Sequence, residues 1–124
     1  MSFNNTKAFR DVTNLIQNFK YKEAKEILDQ NKDQFLNDGL FFSLLGYLYD
    51  CENNYVEAEK NYLKAVDFNQ DLLDAKLNLA ILYLKIKNLN KSDFFFNQIL
   101  DKTENFLVFY NFGLLQAEKK DYYK

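Results

Sequence analysis

Three stretches of this chain repeat one another at a fixed spacing, and that spacing limits the possible folds more than any other feature. They are FKYKEAKEIL (Phe19 to Leu28), NNYVEAEKNY (Asn53 to Tyr62) and KNLNKSDFFF (Lys87 to Phe96). The small residues Ala24, Ala58 and Ser92 stand 34 residues apart. The same interval relates Tyr21, Tyr55 and Leu89, then Leu28, Tyr62 and Phe96, then Leu15, Tyr49 and Tyr83, and finally Val12, Gly46 and Ala80. A period of this length is the mark of a stacked-repeat architecture, in which one unit cannot bury its apolar face without its neighbours. Within a unit the apolar residues recur three, four and seven apart, as in YVEAEKNYLKAV, which puts them on one stripe of an α-helix. Each unit therefore reads as two amphipathic helices. The expected spans are 5–18, 21–32, 39–51, 55–68, 73–86, 89–102 and 106–119.

Composition narrows the chemistry. The sequence contains no histidine and one cysteine, Cys51, which removes disulfide frameworks, Cys/His zinc sites and histidine-based triads or dyads together. Proline is absent and glycine occurs only at 39, 46 and 113, so no Gly-rich loop can cradle a phosphate. Asparagine and aspartate supply the punctuation instead. The formal net charge of -2 gives no basic excess for nucleic acid. No apolar run approaches the roughly 20 residues that span a bilayer. No enzymatic activity, cofactor or metal is expected, and the carboxylates read as helix caps and solvated charges. Cys51 is expected to be a reduced thiol, and the chain to be cytoplasmic.

The order of residues within a unit, aromatic, Leu-Gly, Tyr, then small, aromatic and Ala, resembles the tetratricopeptide repeat (TPR) family. The unit from Gly39 to Leu72 carries it most clearly, through Phe42, Leu45, Gly46, Tyr49, Ala58, Tyr62 and Ala65, with Gln70 where proline is usual. The first unit is the most degenerate, with Ala8, Asp11 and Asn31 at motif positions. The resemblance implies one all-α array over 1–124, an α-solenoid of antiparallel helix pairs stacked into a right-handed superhelix. It comprises about three and a half repeats, at about 5–38, 39–72, 73–105 and a partial one at 106–124. Small residues let paired helices approach closely while Tyr49, Tyr62, Tyr83 and Phe96 fill the space around them. By register Phe96 is core and Phe94 lies on the convex face.

The resemblance also implies a concave groove lined by the first helix of each repeat. The lining would be Thr6, Phe9, Arg10 and Thr13, then Leu40, Ser43, Leu44, Tyr47 and Asp50, then Asp74, Leu77, Asn78 and Ile81, and last Leu107, Tyr110, Asn111 and Leu114. Phe9, Arg10, Thr13, Leu40, Tyr47, Asn78, Ile81, Tyr110 and Asn111 are the candidate peptide-binding residues. Leu40 and Ile81 read equally as packing against a neighbouring helix. Asn78 and Asn111 stand where some relatives hold a peptide backbone with an asparagine ladder, an amide being both donor and acceptor; asparagine is also simply common in this chain. Phe9, Thr13, Leu44, Asp74 and Asn78 stand where carboxylate-clamp relatives carry Lys, Asn and Arg, so that clamp is missing.

The expected function is a non-enzymatic scaffold that binds a peptide or helix of a partner protein. The alternative is the N-terminal, non-catalytic TPR region of a larger enzyme such as a glycosyltransferase or sulfotransferase. The closing NFGLLQAEKKDYYK reads as a first helix followed by a turn and the opening of a second, as in the middle of a longer array. FLVFYNFGLL is apolar nearly all round, so self-association through this open end is a further expectation.

Overall fold

The computed structural model describes residues 2–122, and among them it holds seven α-helices and two short 3-10 turns, with no strand. The chain packs as two compact units, Met1–Leu72 and Leu73–Lys124. The first unit contains α1 (Lys7–Gln17), α2 (Tyr21–Asn31), α3 (Gly39–Cys51) and α4 (Tyr55–Phe68), with 3-10 turns at Phe3–Asn5 and Lys32–Gln34. The second contains α5 (Leu73–Lys85), α6 (Leu89–Ile99) and α7 (Phe106–Tyr122). Within each unit the helices pair as hairpins, α1 with α2, α3 with α4, and α5 with α6.

Short polar side chains start the helices, as the sequence suggests. Thr6 Oγ, Asp38 Oδ1, Asn54 Oδ1 and Asn88 Oδ1 each accept from a backbone N–H in the first turn, at 3.1, 3.2, 3.3 and 3.3 Å. The hairpin turns are built alike. Phe19, Asn53 and Lys87 have φ of 61°, 60° and 64°, and they too are 34 residues apart. At each, the next N–H reaches back to a carbonyl five residues before, Lys20 to Leu15, Asn54 to Tyr49 and Asn88 to Tyr83, at 2.8 to 2.9 Å. This is the Schellman helix ending, here without glycine at its left-handed position.

The small residues do what the repeat pattern requires of them. A Cβ on Gly46 would lie 2.7 Å from Cδ1 of Tyr62, so α3 and α4 cross with the tyrosine ring against bare backbone. In the second unit Ser92 donates its hydroxyl to the carbonyl of Ala80 at 2.7 Å, joining α6 to α5 in a fully buried contact. Ala24, Ala58, Leu28, Tyr62, Tyr83 and Phe96 are all buried, and Phe94 is exposed. Beside Phe96, Phe95 is also buried and stacks on Tyr83 at 5.9 Å.

Two features depart from the sequence reading. Phe3, which no repeat column contains, is fully buried and sits edge-on to Phe9, Phe35 and Phe41 at 5.6, 5.0 and 5.2 Å. No turn interrupts the described part of KKDYYK, 119–122. α7 runs on to Tyr122, and Tyr123 and Lys124 lie outside the described residues. Its later turns are held by Lys87 to Glu118 at 2.9 Å and Lys119 to Asp93 at 3.4 Å. Lys119 and Lys120 also suit the negative end of the helix dipole.

Candidate functional site

Burial along α3 leaves one line of side chains accessible. Gly39, Phe41, Phe42, Ser43, Leu45, Gly46 and Leu48 are buried, while Leu40, Leu44, Tyr47 and Cys51 are not. Those four are spaced four, three and four residues apart, which is one stripe of a helix. Tyr49 and Asp50, the remaining partly accessible residues, are engaged: Lys25 lies 4.2 Å over the Tyr49 ring, and Asp50 Oδ2 accepts from the Tyr62 hydroxyl at 3.3 Å.

α5 shows the same arrangement independently. Ala75, Lys76, Leu77, Leu79, Ala80, Leu82, Tyr83 and Leu84 are buried, and beyond the first residue, Leu73, the accessible ones are Asp74, Asn78, Ile81 and Lys85. Each stands 34 residues after its counterpart on α3. The corresponding residues in the first repeat are Thr6, the N-cap of α1, and Arg10, Thr13 and Gln17 on the helix, all partly or fully accessible. The Thr13 hydroxyl is turned back to the carbonyls of Phe9 and Arg10, both at 3.0 Å.

Most of the expected groove residues therefore lie on an accessible stripe, and some do not. Ser43 and Leu77 are buried and are not surface lining. Phe9 is half-buried against Phe3. Leu40 borders a cleft of about 450 Å³ in the first unit with Asn4, Phe68 and Leu72. Tyr110 is exposed on α7 and stacked on Phe106 at 6.0 Å. Asn111 donates one of its two side-chain N–H groups to the carbonyl of Leu107 at 2.8 Å, which leaves the second N–H and the amide oxygen for other partners. Cys51 and Lys85 complete the stripes and were not among the expected groove residues; the 34-residue interval that relates them to Gln17 carries the missing signal.

Tyr47 is the most distinctive side chain on the α3 stripe. Its ring meets Tyr21 edge-on at 6.5 Å, joining α2 to α3. Burial, and then the neighbouring Cys51 and Tyr21, push its phenol up to about 12. Tyr62, beneath it, is pushed well above the ordinary tyrosine value by burial and by Asp50. Both are neutral hydrogen-bonding groups at physiological pH. The described residues hold no cluster of His, Cys, Asp and Glu suited to a metal ion, and no helix long and apolar enough to cross a membrane.

An all-α repeat built on paired helices, with an accessible stripe on the first helix of each pair, is a TPR-type fold, and solved structures of that class superpose on the chain. The first TPR of Spaghetti (RPAP3), bound to an HSP90 peptide SRMEEVD, matches with a TM-score of 0.82 and 16% identity, over 95% of this chain and 94% of that one. The first TPR domain of human RPAP3 matches with a TM-score of 0.84 and 14% identity, over 92% and 91%. The Yersinia enterocolitica type III secretion translocator chaperone SycD matches with a TM-score of 0.83 and 19% identity, over 95% and 85%. No family model matches the sequence, and no curated protein does. The likeness is one of fold.

Proposed function

We propose that the chain is a protein-interaction module that binds a peptide or helix of a partner protein on the accessible stripes of its first helices. The observation that carries this is the burial pattern of α3 and α5. Both bury most of their residues, and each leaves one accessible stripe, Leu40, Leu44 and Tyr47 on α3 and Asp74, Asn78 and Ile81 on α5. Leu40 and Tyr47 in the first unit, and Asn78 and Ile81 in the second, are the residues on which we place binding, with Phe9, Arg10 and Thr13 flanking them on α1. A peptide in one structural neighbour and a chaperone in another support the same reading.

The ligand we assign differs from the acidic peptide of that neighbour. The clamp positions named above hold Phe9, Thr13, Leu44, Asp74 and Asn78, with no cation among them. A Leu40, Leu44 and Tyr47 stripe suits an apolar or amphipathic helical segment, taken up by the helix-in-groove mode. No catalytic role is proposed, since the chain has no histidine and the phenols of Tyr47 and Tyr62 are raised further above physiological pH, so both stay protonated there. A cytoplasmic setting belongs to the same proposal and fits the exposed Cys51 thiol. The reading as part of a larger transferase gains no support from the structural neighbours.

Peptide-library selection against the whole chain tests this. Selected peptides should be apolar or amphipathic, and a Tyr47→Ala, Asn78→Ala double variant should bind them about tenfold or more weakly, a loss of ~1.4 kcal/mol. Equal binding by both proteins would overturn the assignment.

A further inference from the structure

α7 is apolar on two faces, and only one of them is covered. On the inner face Val108 and Leu115 are buried, and Phe112 meets Phe96 of α6 edge-on at 5.8 Å. The outer face carries Phe106, Leu107, Tyr110 and Leu114, exposed by 73, 54, 54 and 42%, with Phe109 beside them at 48%. Gly113 lies among them, and a Cβ there would meet nothing within 4 Å. Gly46 of α3 shows the contrast, because the Tyr62 ring closes over it.

We propose that this outer face is a homodimer interface, in which α7 packs antiparallel against α7 of a second copy across a twofold axis near Tyr110. The pattern is self-complementary. Antiparallel pairing about Tyr110 sets Phe106 of each copy over Leu114 of the other, and Leu107 over the bare backbone of Gly113. Twofold symmetry makes every such contact twice, and large against small is how close-packed helices interlock. Charge does not oppose it. From Phe106 to Ala117 the helix has no charged residue, and Glu118 and Lys119 are already paired within their own chain. Five such side chains, about half exposed, bring roughly 500 Å² per copy and so about 1,000 Å² in total, the lower bound for a specific interface. The dimer is accordingly weak and concentration-dependent. Tyr110 passes in this reading from the peptide site to the interface, and the inference does not depend on peptide binding.

Sedimentation velocity of the whole chain across a concentration series tests it. The mass should rise from one copy towards two, and Phe106→Glu with Tyr110→Glu should hold it at one while helicity is retained, because both side chains are exposed. Val56→Glu, at an exposed position on α4, should leave the dimer intact. In a Cys51→Ser background, Tyr110→Cys treated with a mild thiol oxidant should give a disulfide-linked dimer, and Phe94→Cys on α6 should not. Peptide binding by the α3 and α5 stripes should survive the double Glu variant. A chain that is monomeric throughout, a dimer that persists in the double Glu variant, or an α7 face protected only when another protein or a further chain segment is added would each overturn the proposal.

Discussion

Gly46 and Gly113 sit at like places in α3 and α7, yet their surroundings call for different residues. Alanine at 46 would bring its Cβ to 2.7 and 2.9 Å from the ring of Tyr62. That ring cannot swing aside, being fully buried with its hydroxyl on Asp50. Gly46→Ala should therefore cost about 1–3 kcal/mol by overpacking. Gly113→Ala meets no atom and should gain up to about 1 kcal/mol in helix propensity. Urea denaturation of dilute samples measures both, and equal shifts for the two variants would contradict the packing described. Tyrosine burial makes a second prediction at this scale. Tyr47 ionises at about 12 in the fold against 10 for an ordinary tyrosine, and Tyr62 higher still. A raised phenol favours the folded state fully below pH 10, and that contribution is lost as pH rises from 10 through the folded values. The melting temperature should decline more steeply above pH 10 in the natural chain than in a Tyr47→Phe, Tyr62→Phe variant; parallel declines would show that neither phenol is coupled to folding.

At the scale of the element, the turns between paired helices are the least economical part of the design. Phe19 closes α1 with φ at 61°, a conformation that costs an L-residue roughly 1–2 kcal/mol, and its side chain is largely exposed. Phe19→Gly removes that strain against a smaller entropic cost in the unfolded chain, so stability should rise by about 0.5–1 kcal/mol. A lower melting temperature would mean that the edge-on contact with Tyr21 outweighs the strain. The elements themselves were largely legible in the sequence, with helix ends placed to within three residues of those observed. Tyr62, Tyr83, Phe96, Gly46 and Ala58 repeat at one interval because each is fixed by a partner helix at that interval. Legibility fails where the partner is missing. Phe3 precedes the first column and so has no periodic signal, although it is central to the Phe9, Phe35 and Phe41 cluster. α7 has no second helix among the described residues, so register does not say which of its faces is buried or where it ends. The site divides along the same line. Leu40, Tyr47, Asn78 and Ile81 fall on stripes that neighbouring helices define, whereas Tyr110 and Asn111 belong to a helix for which the repeat rule gives no cover.

For the molecule as a whole, repeat architecture makes stability a sum of local pairings instead of the property of one central core. Every helix is held chiefly by its neighbours in the chain, so regions covered on one side should open before regions covered on several. Within the first unit, α3 is packed on all but its stripe, whereas α1 buries a single residue, Val12. Within the second, α5 buries eight residues and α7 only Val108 and Leu115. Amide hydrogen exchange should therefore be slowest in α3 and α5, intermediate in α4 and α6, and fastest in α1 and α7, with the order kept inside each unit. Exchange read at concentrations spanning the dimer transition separates the two surfaces on α7. Protection should grow with concentration over 106–114 and not over α1, because only the former gains a partner. Uniform protection across all seven helices would indicate a single cooperative core and would contradict the local account of stability given by the 34-residue interval.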